Sequence, residues 1–510
     1  MKLTSFTVLK SNKLNPLILV LVLFSVQAFA QTKTETDSIP EYWLASKKEI
    51  WNKIDSFFDD PAFNSSNWGV LIQSLRTGEV LYKRNETKLF IPASNQKLLT
   101  TSAALEILGP SYQFRTIVAT DGEIDGSILN GNLMIKGYGD PSISGRFHNG
   151  NIFSVFQTWV ERLQEIGIDE IRGNIIGYDD AFDEINLGEA WHWDYETYWY
   201  AAPIGALSFN DNCVDITIKP SKVLSQAVVT SEPESKMITI INQVVTVPSD
   251  SVTNIQFQRL RSSNIIRITG TIKENQPDYK IYVSINNPTQ FFVVTLKKYL
   301  EDNGIKVTGF AIDYDDISNR VDIQNFRDLF DHYSKPLTEI IRVINKNSQN
   351  FFAEQLLKTI GYELFGLGSA EHGKYGISEF LAKMDITQSQ YRISDGSGLS
   401  RLNLITPEIL MKILVYMNKS SLFSYFYNSL PVAGVDGTIS SRMKNSPAEY
   451  NVRAKTGFVG FTRSLSGYMN TYEKEPIAFV MIVNNLLGPI SVADNVQDKI
   501  CIQLSKLKRK

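Results

Sequence analysis

Between residues 111 and 324 the chain runs in short alternating apolar and polar segments broken by turn residues, whereas helical periodicity dominates on either side. The strand-like runs of the middle are 114–119, 127–135, 171–178, 214–219, 238–247 and 264–272. Before them, 41–58 has helical spacing, and 68–75 and 80–82 read as two strands joined by Arg76-Thr77-Gly78-Glu79. A helix then begins near Ser94 and stops at Gly109-Pro110. After the middle, 337–343, 351–365 and 406–417 read as helices, 461–469 and 476–484 as strands, and 492–507 as a closing helix. The pattern predicts an α/β (α+β) fold. Its antiparallel sheet, flanked by helices, is built from both ends of the chain, 31–110 and 325–510. A mostly β insertion, 111–324, of one or two lobes interrupts it.

The N-terminus reads as an address. Lys2, Lys10 and Lys13 precede an apolar run over 17–26, followed by Ala28-Phe29-Ala30 and Gln31. This predicts a secretory signal peptide over 1–30, cleaved after Ala30, and an exported, periplasmic product. The run is short for a membrane span, and no later stretch is long and apolar enough for one. A net charge of -3 over 510 residues gives no basic excess, so no nucleic-acid partner is expected. The two cysteines, Cys213 and Cys501, leave pairing open. His148, His192, His332 and His372 have no metal spacing, and there is no G-x-S-x-G elbow, so neither metal-dependent hydrolysis nor a Ser-His-Asp triad is expected, and no metal or cofactor is assigned. Oligomeric state and peripheral membrane contact stay open.

Ser94-Asn95-Gln96-Lys97 sets a serine and a lysine three apart at a helix start, which puts both on one face. A serine hydroxyl needs a neighbour to take its proton, and a lysine whose charge is disfavoured by burial can do so. Free N–H groups of the first helical turn suit a developing oxyanion. Ser441-Arg442-Met443-Lys444 and Ser505-Lys506-Leu507-Lys508 share the spacing, but neither follows a strand hairpin and a Pro-Ala entry. Ser348-Gln349-Asn350 opens the 351–365 helix. Its hydroxyl suits proton relay and its Asn amide suits holding a carbonyl and the lysine, although Ser348 equally suits a helix N-cap. Ser208-Phe209-Asn210 and Ser284-Ile285-Asn286 match the same pattern. Lys455-Thr456-Gly457 occurs once and leads into a strand. Lys and Thr suit a carboxylate, and Gly lets a substrate approach the backbone.

S-x-x-K, S-x-N and K-T-G in this order form the pattern of penicillin-binding proteins and class A β-lactamases. The chain resembles the low-molecular-mass D-alanyl-D-alanine carboxypeptidase/endopeptidase family, S13, over nearly all of its mature length. The long insertion after the S-x-x-K helix supports this, as do Phe352-Ala353-Glu354-Gln355-Leu356-Leu357 and Asp395-Gly396-Ser397-Gly398-Leu399-Ser400-Arg401. Gly137-Tyr138-Gly139-Asp140-Pro141 and Ala202-Pro203-Ile204-Gly205-Ala206-Leu207 fit it too. The resemblance implies a serine β-lactamase/transpeptidase-like domain with Ser94 as nucleophile and Lys97 as base. It assigns Ser348, Asn350 and Lys455 to the proton network and Thr456 to the substrate carboxylate. Gly457 lies beside the substrate, and the N–H groups of Ser94 and Phe458 hold the oxyanion. Asp179 is assigned to a substrate amine. The implied substrates are peptidoglycan stem peptides and cross-links, with β-lactams as covalent inhibitors. A β-lactam-binding sensor or cell-wall-binding module with little turnover, or a β-lactamase or esterase on the same scaffold, is the alternative.

Overall fold

The segment Pro476–Asn484 is apolar at every position from Ile477 to Val483, which suits a strand covered on both faces. In the computed structural model, which describes residues 45–318 and 321–508, it is the middle strand of a five-stranded antiparallel sheet. The order across the sheet is Arg453–Val459, Thr462–Asn470, Pro476–Asn484, Asn67–Ser74 and Val80–Arg84. The signal-like segment 1–30 and the polar stretch after it lie outside the described residues.

Helices α1 (Lys47–Phe58), α2 (Gln96–Leu108), α3 (Ser154–Glu165), α4 (Pro288–Asp302) and α5 (Leu337–Lys346) come first in chain order. They are followed by α6 (Asn350–Phe365), α7 (Ala370–Ala382), α8 (Pro407–Lys419), α9 (Phe423–Ser429) and α10 (Ile490–Ser505). Side chains of a strand alternate between its faces. Phe479, Met481 and Val483 therefore pack with Ile50 and Ile54 of α1 and Ile500 and Leu504 of α10. Ala478, Val480 and Ile482 face the larger core, with Leu98 and Leu99 of α2, Ile340 of α5, Phe352 and Leu356 of α6, and Ile413 of α8. Each helix contributes apolar residues at three- and four-residue spacing, so burial against the sheet supplies what isolated helices of this length lack.

A separate core gathers residues 118–307, with Phe156, Trp159 and Leu163 of α3 against Phe292, Leu296 and Leu300 of α4. Beside it a five-stranded mixed sheet runs in the order Ala311–Asp313, Ile175–Tyr178, Leu133–Gly137, Arg115–Thr120 and Arg327–Tyr333. The middle is strand-rich, as expected, but α3 and α4 are additions to that reading. Their marks are in the sequence. Val155, Phe156, Trp159, Val160 and Leu163 repeat at helical spacing, and Asn287 caps α4 through the Gln290 N–H ahead of a proline.

Two segments expected as single strands are each broken in two. The 127–135 run is Ile128–Asn130 and Leu133–Gly137, and the 171–178 run is Glu170–Ile171 and Ile175–Tyr178. Each chain steps from a four-stranded sheet to the five-stranded one at a glycine, Gly131 or Gly173. A Cβ on Gly173 would sit 2.1 Å from the Gly131 carbonyl oxygen, and one on Gly131 would sit 2.4 Å from Gly122 Cα. Backbones this close leave no room for a side chain. Cys213 and Cys501 are both buried and unpaired. Among the described residues no helix is long and apolar enough to cross a membrane.

Gly173→Ala forces its strand away from Gly131 and is expected to lose roughly 1–3 kcal/mol. Gly488→Ala, where a Cβ would meet nothing within 4 Å, serves as the control. Thermal denaturation of both should show a lowered Tm for the first alone. Equal values would contradict the packing argument.

Candidate active site

Ser94 sits in a one-turn 3₁₀ helix, Ala93–Asn95, that runs directly into α2. The turn is strained, because Ala93 has φ 49, a left-handed conformation that an L side chain adopts at a cost of about 1–2 kcal/mol. Polar ties to the sheet hold it there. Ser464 Oγ donates to the Pro92 carbonyl at 2.8 Å, Asn95 Nδ2 donates to the Lys455 carbonyl at 2.8 Å, and Ser466 Oγ donates to Asn95 Oδ1 at 2.6 Å. Gly398 closes the other side, so near that a Cβ there would lie 1.9 Å from the Ala93 carbonyl oxygen. Ser94 is thereby fixed at the helix entrance with 9% of its surface exposed.

Lys97, one turn into the same element, is fully buried. Its Nζ contacts Ser94 Oγ at 2.9 Å, Asn350 Oδ1 at 2.6 Å and the Ser397 carbonyl at 2.7 Å. Three acceptors match the three protons of an ammonium, and the neutral amine can instead accept from the Ser94 hydroxyl. Burial drives the Lys97 pKa down to about 7, against the pull of Asp395 and Glu354. A sizeable share is therefore neutral near physiological pH, which is the state a base needs.

The sheet edge brings a second serine–lysine pair. Lys455 lies on the outermost strand, Arg453–Val459, and its Nζ donates to Ser348 Oγ at 2.8 Å and to the Thr456 carbonyl at 2.7 Å. Burial pushes its pKa well below the ordinary lysine value, and the charges of Lys97 and Arg463 push the same way. Ser348 is not a helix cap. Gln349 takes the N-cap position of α6, and Ser348 stands before it at φ 57, another left-handed residue held by its surroundings. Asn350 bridges outward, its Nδ2 donating to the Tyr200 carbonyl at 2.8 Å. Thr456 Oγ1 donates to Thr438 Oγ1 at 2.7 Å. Gly457 runs against the nucleophile turn: a Cβ on it would lie 3.0 Å from the Ser94 nitrogen. Phe458, the next residue, is 52% exposed.

The structure thus places two hydrogen-bonded groups in one cluster, Ser94 with Lys97 and Asn350, and Ser348 with Lys455, tied together by Asn95 on the Lys455 carbonyl, with Thr456 and Gly457 next along the Lys455 strand. The competing motifs lie elsewhere. Ser505 donates to the Cys501 carbonyl inside α10, and Ser208 donates to the Gly205 carbonyl. Among the described residues Asp179 makes no hydrogen bond to this cluster. Its carboxylate accepts from Thr289 at the start of α4, and its charged neighbours are Asp313, Asp315 and Glu184. Burial, reinforced by those acids, lifts its pKa to about 7.

Several contributors escape the motif reading. The carbonyls of Tyr200 and Ser397 touch Asn350 and Lys97, and any residue type could supply a carbonyl. The buried carboxylates of Glu354 and Asp395 shape the loop that carries Ser397, and their only sequence trace is the pair of segments 352–357 and 395–401. Trp191 Nε1 donates to Asp395 Oδ2 at 2.9 Å, so the aromatic segment of the insertion reaches the site. A hydroxyl with an amine beside it, a second hydroxyl–amine pair, and a bare strand edge together suit acyl transfer to serine.

Comparison with known proteins agrees with this chemistry. The model of the D-Ala-D-Ala carboxypeptidase 3 (S13) family matches residues 50–507. The D-alanyl-D-alanine carboxypeptidase of Actinomadura sp. (strain R39) is 31% identical over 475 residues, covering 90% of this chain and 85% of that protein. The D-alanyl-D-alanine carboxypeptidase DacB of Haemophilus influenzae is 26% identical over 423 residues, covering 82% of this chain and 85% of that protein. The crystal structure of penicillin binding protein 4 from Haemophilus influenzae shares the fold with a TM-score of 0.76 at 24% identity. That match covers 89% of this chain and 99% of the other. On the family match and the identity to the Actinomadura enzyme, this chain is a member of the D-Ala-D-Ala carboxypeptidase 3 (S13) family of serine peptidases.

Proposed function

We propose that this protein is an exported serine D,D-carboxypeptidase and D,D-endopeptidase of the periplasm, cutting D-Ala peptide bonds of peptidoglycan stems and cross-links through an acyl-enzyme on Ser94. The observation that carries this reading is the buried Lys97 amine 2.9 Å from Ser94 Oγ, in a chain of a D-Ala-D-Ala carboxypeptidase family. Neutral Lys97 takes the Ser94 proton as Oγ bonds to the carbonyl carbon of the penultimate D-Ala. The oxyanion settles between the backbone N–H groups of Ser94 and Phe458. The C–N bond then breaks, and the proton held by Lys97 is passed by way of Ser348 and Lys455 to the leaving amine, which departs and leaves Lys97 neutral again. Lys455 and Thr456 meet the terminal carboxylate of the substrate, beside the bare backbone of Gly457, while Asn350 holds Lys97 in place. Water, deprotonated by Lys97, hydrolyses the ester and returns Ser94. In the endopeptidase reaction the leaving amine belongs to a neighbouring stem. A β-lactam follows the same first step, but its leaving amine stays tethered to the acyl group, which slows the water step. Asp179, which accepts from Thr289 beside further acids, is assigned to the amine of the substrate side chain, as the family resemblance implies. The address over residues 1–30, with cleavage after Ala30, supports export.

A synthetic stem peptide ending in D-Ala-D-Ala should release D-Ala with the native protein. Lys97→Met should lower kcat by about 10²–10⁴-fold, the range of a lost general base. Thr456→Ala should instead act mainly on KM, since it removes a contact made equally by substrate and transition state. Failure of the native protein to release D-Ala would overturn the reading.

The acylation rate with a chromogenic β-lactam should climb with pH through a midpoint near 7, where Lys97 loses its proton. Below the midpoint the neutral base, and with it the rate, should fall about tenfold per pH unit. A rate flat from acid to alkaline pH would contradict Lys97 as the base.

A further inference from the structure

The carbonyl that receives the third proton of Lys97 belongs to Ser397, in a loop built around two buried carboxylates. Glu354 Oε2 accepts from the Gly396 N–H at 3.0 Å, and Oε1 accepts from the Ser397 N–H at 2.7 Å. Asp395 accepts from the N–H groups of Gly398 at 2.7 Å and Ser400 at 2.6 Å, from Asn403 Nδ2 at 2.7 Å, and from Trp191 Nε1 at 2.9 Å. The loop's N–H groups are thus held from inside by two carboxylates, while Thr100 donates to the Gly396 carbonyl at 2.7 Å.

Glu354 stands four residues after Asn350 on α6, so the two share a helix face. From that face Asn350 reaches Lys97 directly, and Glu354 reaches it across the Ser397 residue, whose N–H it binds and whose carbonyl, on the next peptide unit, meets Lys97 Nζ. We propose that Glu354 is a positioning residue for Lys97: it fixes the Ser397 carbonyl on the amine and supplies a buried negative charge facing it. This rests on Lys97 being the base of the reaction.

The charge has a functional consequence. Burial alone would strip Lys97 of its proton and leave a weak base, and Asp395 and Glu354 oppose that loss. Other charged groups around the pair are already engaged. Lys358, on the same helix, binds Asp183 Oδ1 at 2.5 Å, and Lys455 binds Ser348. Glu354 itself is lifted to about 7, first by burial and then by Asp395, while the Ser397 hydroxyl and the two loop N–H groups pull the other way. Removing the Glu354 charge should therefore lower the Lys97 pKa. The sign follows directly: a weaker base is neutral at lower pH, so the acid limb of acylation moves down while the plateau rate falls.

The test is the pH profile of acylation by a chromogenic β-lactam for the native protein, Glu354→Gln, Glu354→Asp and Ser397→Ala, each checked by circular dichroism. Glu354→Gln should shift the acid-limb midpoint down by about one pH unit and lower the plateau several-fold. Glu354→Asp, which keeps the charge, should retain the native midpoint. Ser397→Ala, which removes one donor to the Glu354 anion, should shift the midpoint in the same direction by less. A folded Glu354→Gln protein with the native midpoint would overturn the proposal, whatever its rate, because a purely structural anchor lowers the rate equally at every pH. If Glu354→Gln does not fold, an unshifted midpoint in Ser397→Ala overturns it. A native protein with no acid limb at all would instead refute Lys97 as base, which separates the two failures.

Discussion

The rest of the site depends on the cost of burying the Lys97 amine. An ammonium removed from water loses several kcal/mol of hydration unless its protons find acceptors. Ser94 Oγ, Asn350 Oδ1 and the Ser397 carbonyl supply three, one from each of three chain segments more than 200 residues apart at the extremes. No ion pair is among them. The opposing carboxylates stand behind the backbone, so the amine is held firmly while its proton stays removable.

That arrangement explains the features around it that would otherwise only destabilise. Ala93, which precedes Ser94, and Ser348 itself are both left-handed. Strain of this kind persists only where neighbours over-determine the backbone, and around Ala93 sheet hydroxyls, Asn95 and Gly398 do so. The five-stranded sheet, packed on both faces, is the rigid frame. Its edge strand carries Lys455, Thr456 and Gly457 and leaves one side of its backbone unpaired by a strand. The insertion is joined to this frame at Asn350 and Asp395, through Tyr200 and Trp191.

How much of this was legible in the sequence follows from which atoms act. Side chains that work through their own chemistry left a spacing to read: Ser94 with Lys97 on one helix face, Ser348 with Asn350 at a helix entrance, and Lys455-Thr456-Gly457 beside a strand. The two-faced core strand Pro476–Asn484 was equally readable from its unbroken apolar run. Groups that work through the backbone left none. The carbonyls of Ser397 and Tyr200 could belong to any residue, and Glu354 acts on peptide N–H groups that every residue but proline possesses. Helices α3 and α4 were readable from Val155 to Leu163 and from the Asn287 cap, and were masked by the strand-like texture around them. Asp179 was legible only in part. The acid after a strand could be read from the sequence, whereas the Thr289 hydroxyl and the further acids around it come from distant segments.

The most direct test of the account is where penicillin attaches. Intact protein exposed to a labelled penicillin should gain one adduct, and proteolytic mapping should place it on the peptide containing Ser94. The Ser94→Ala protein, folded and treated identically, should gain none. An equal adduct on Ser94→Ala would contradict the central claim that Ser94, activated by the buried Lys97, is the nucleophile.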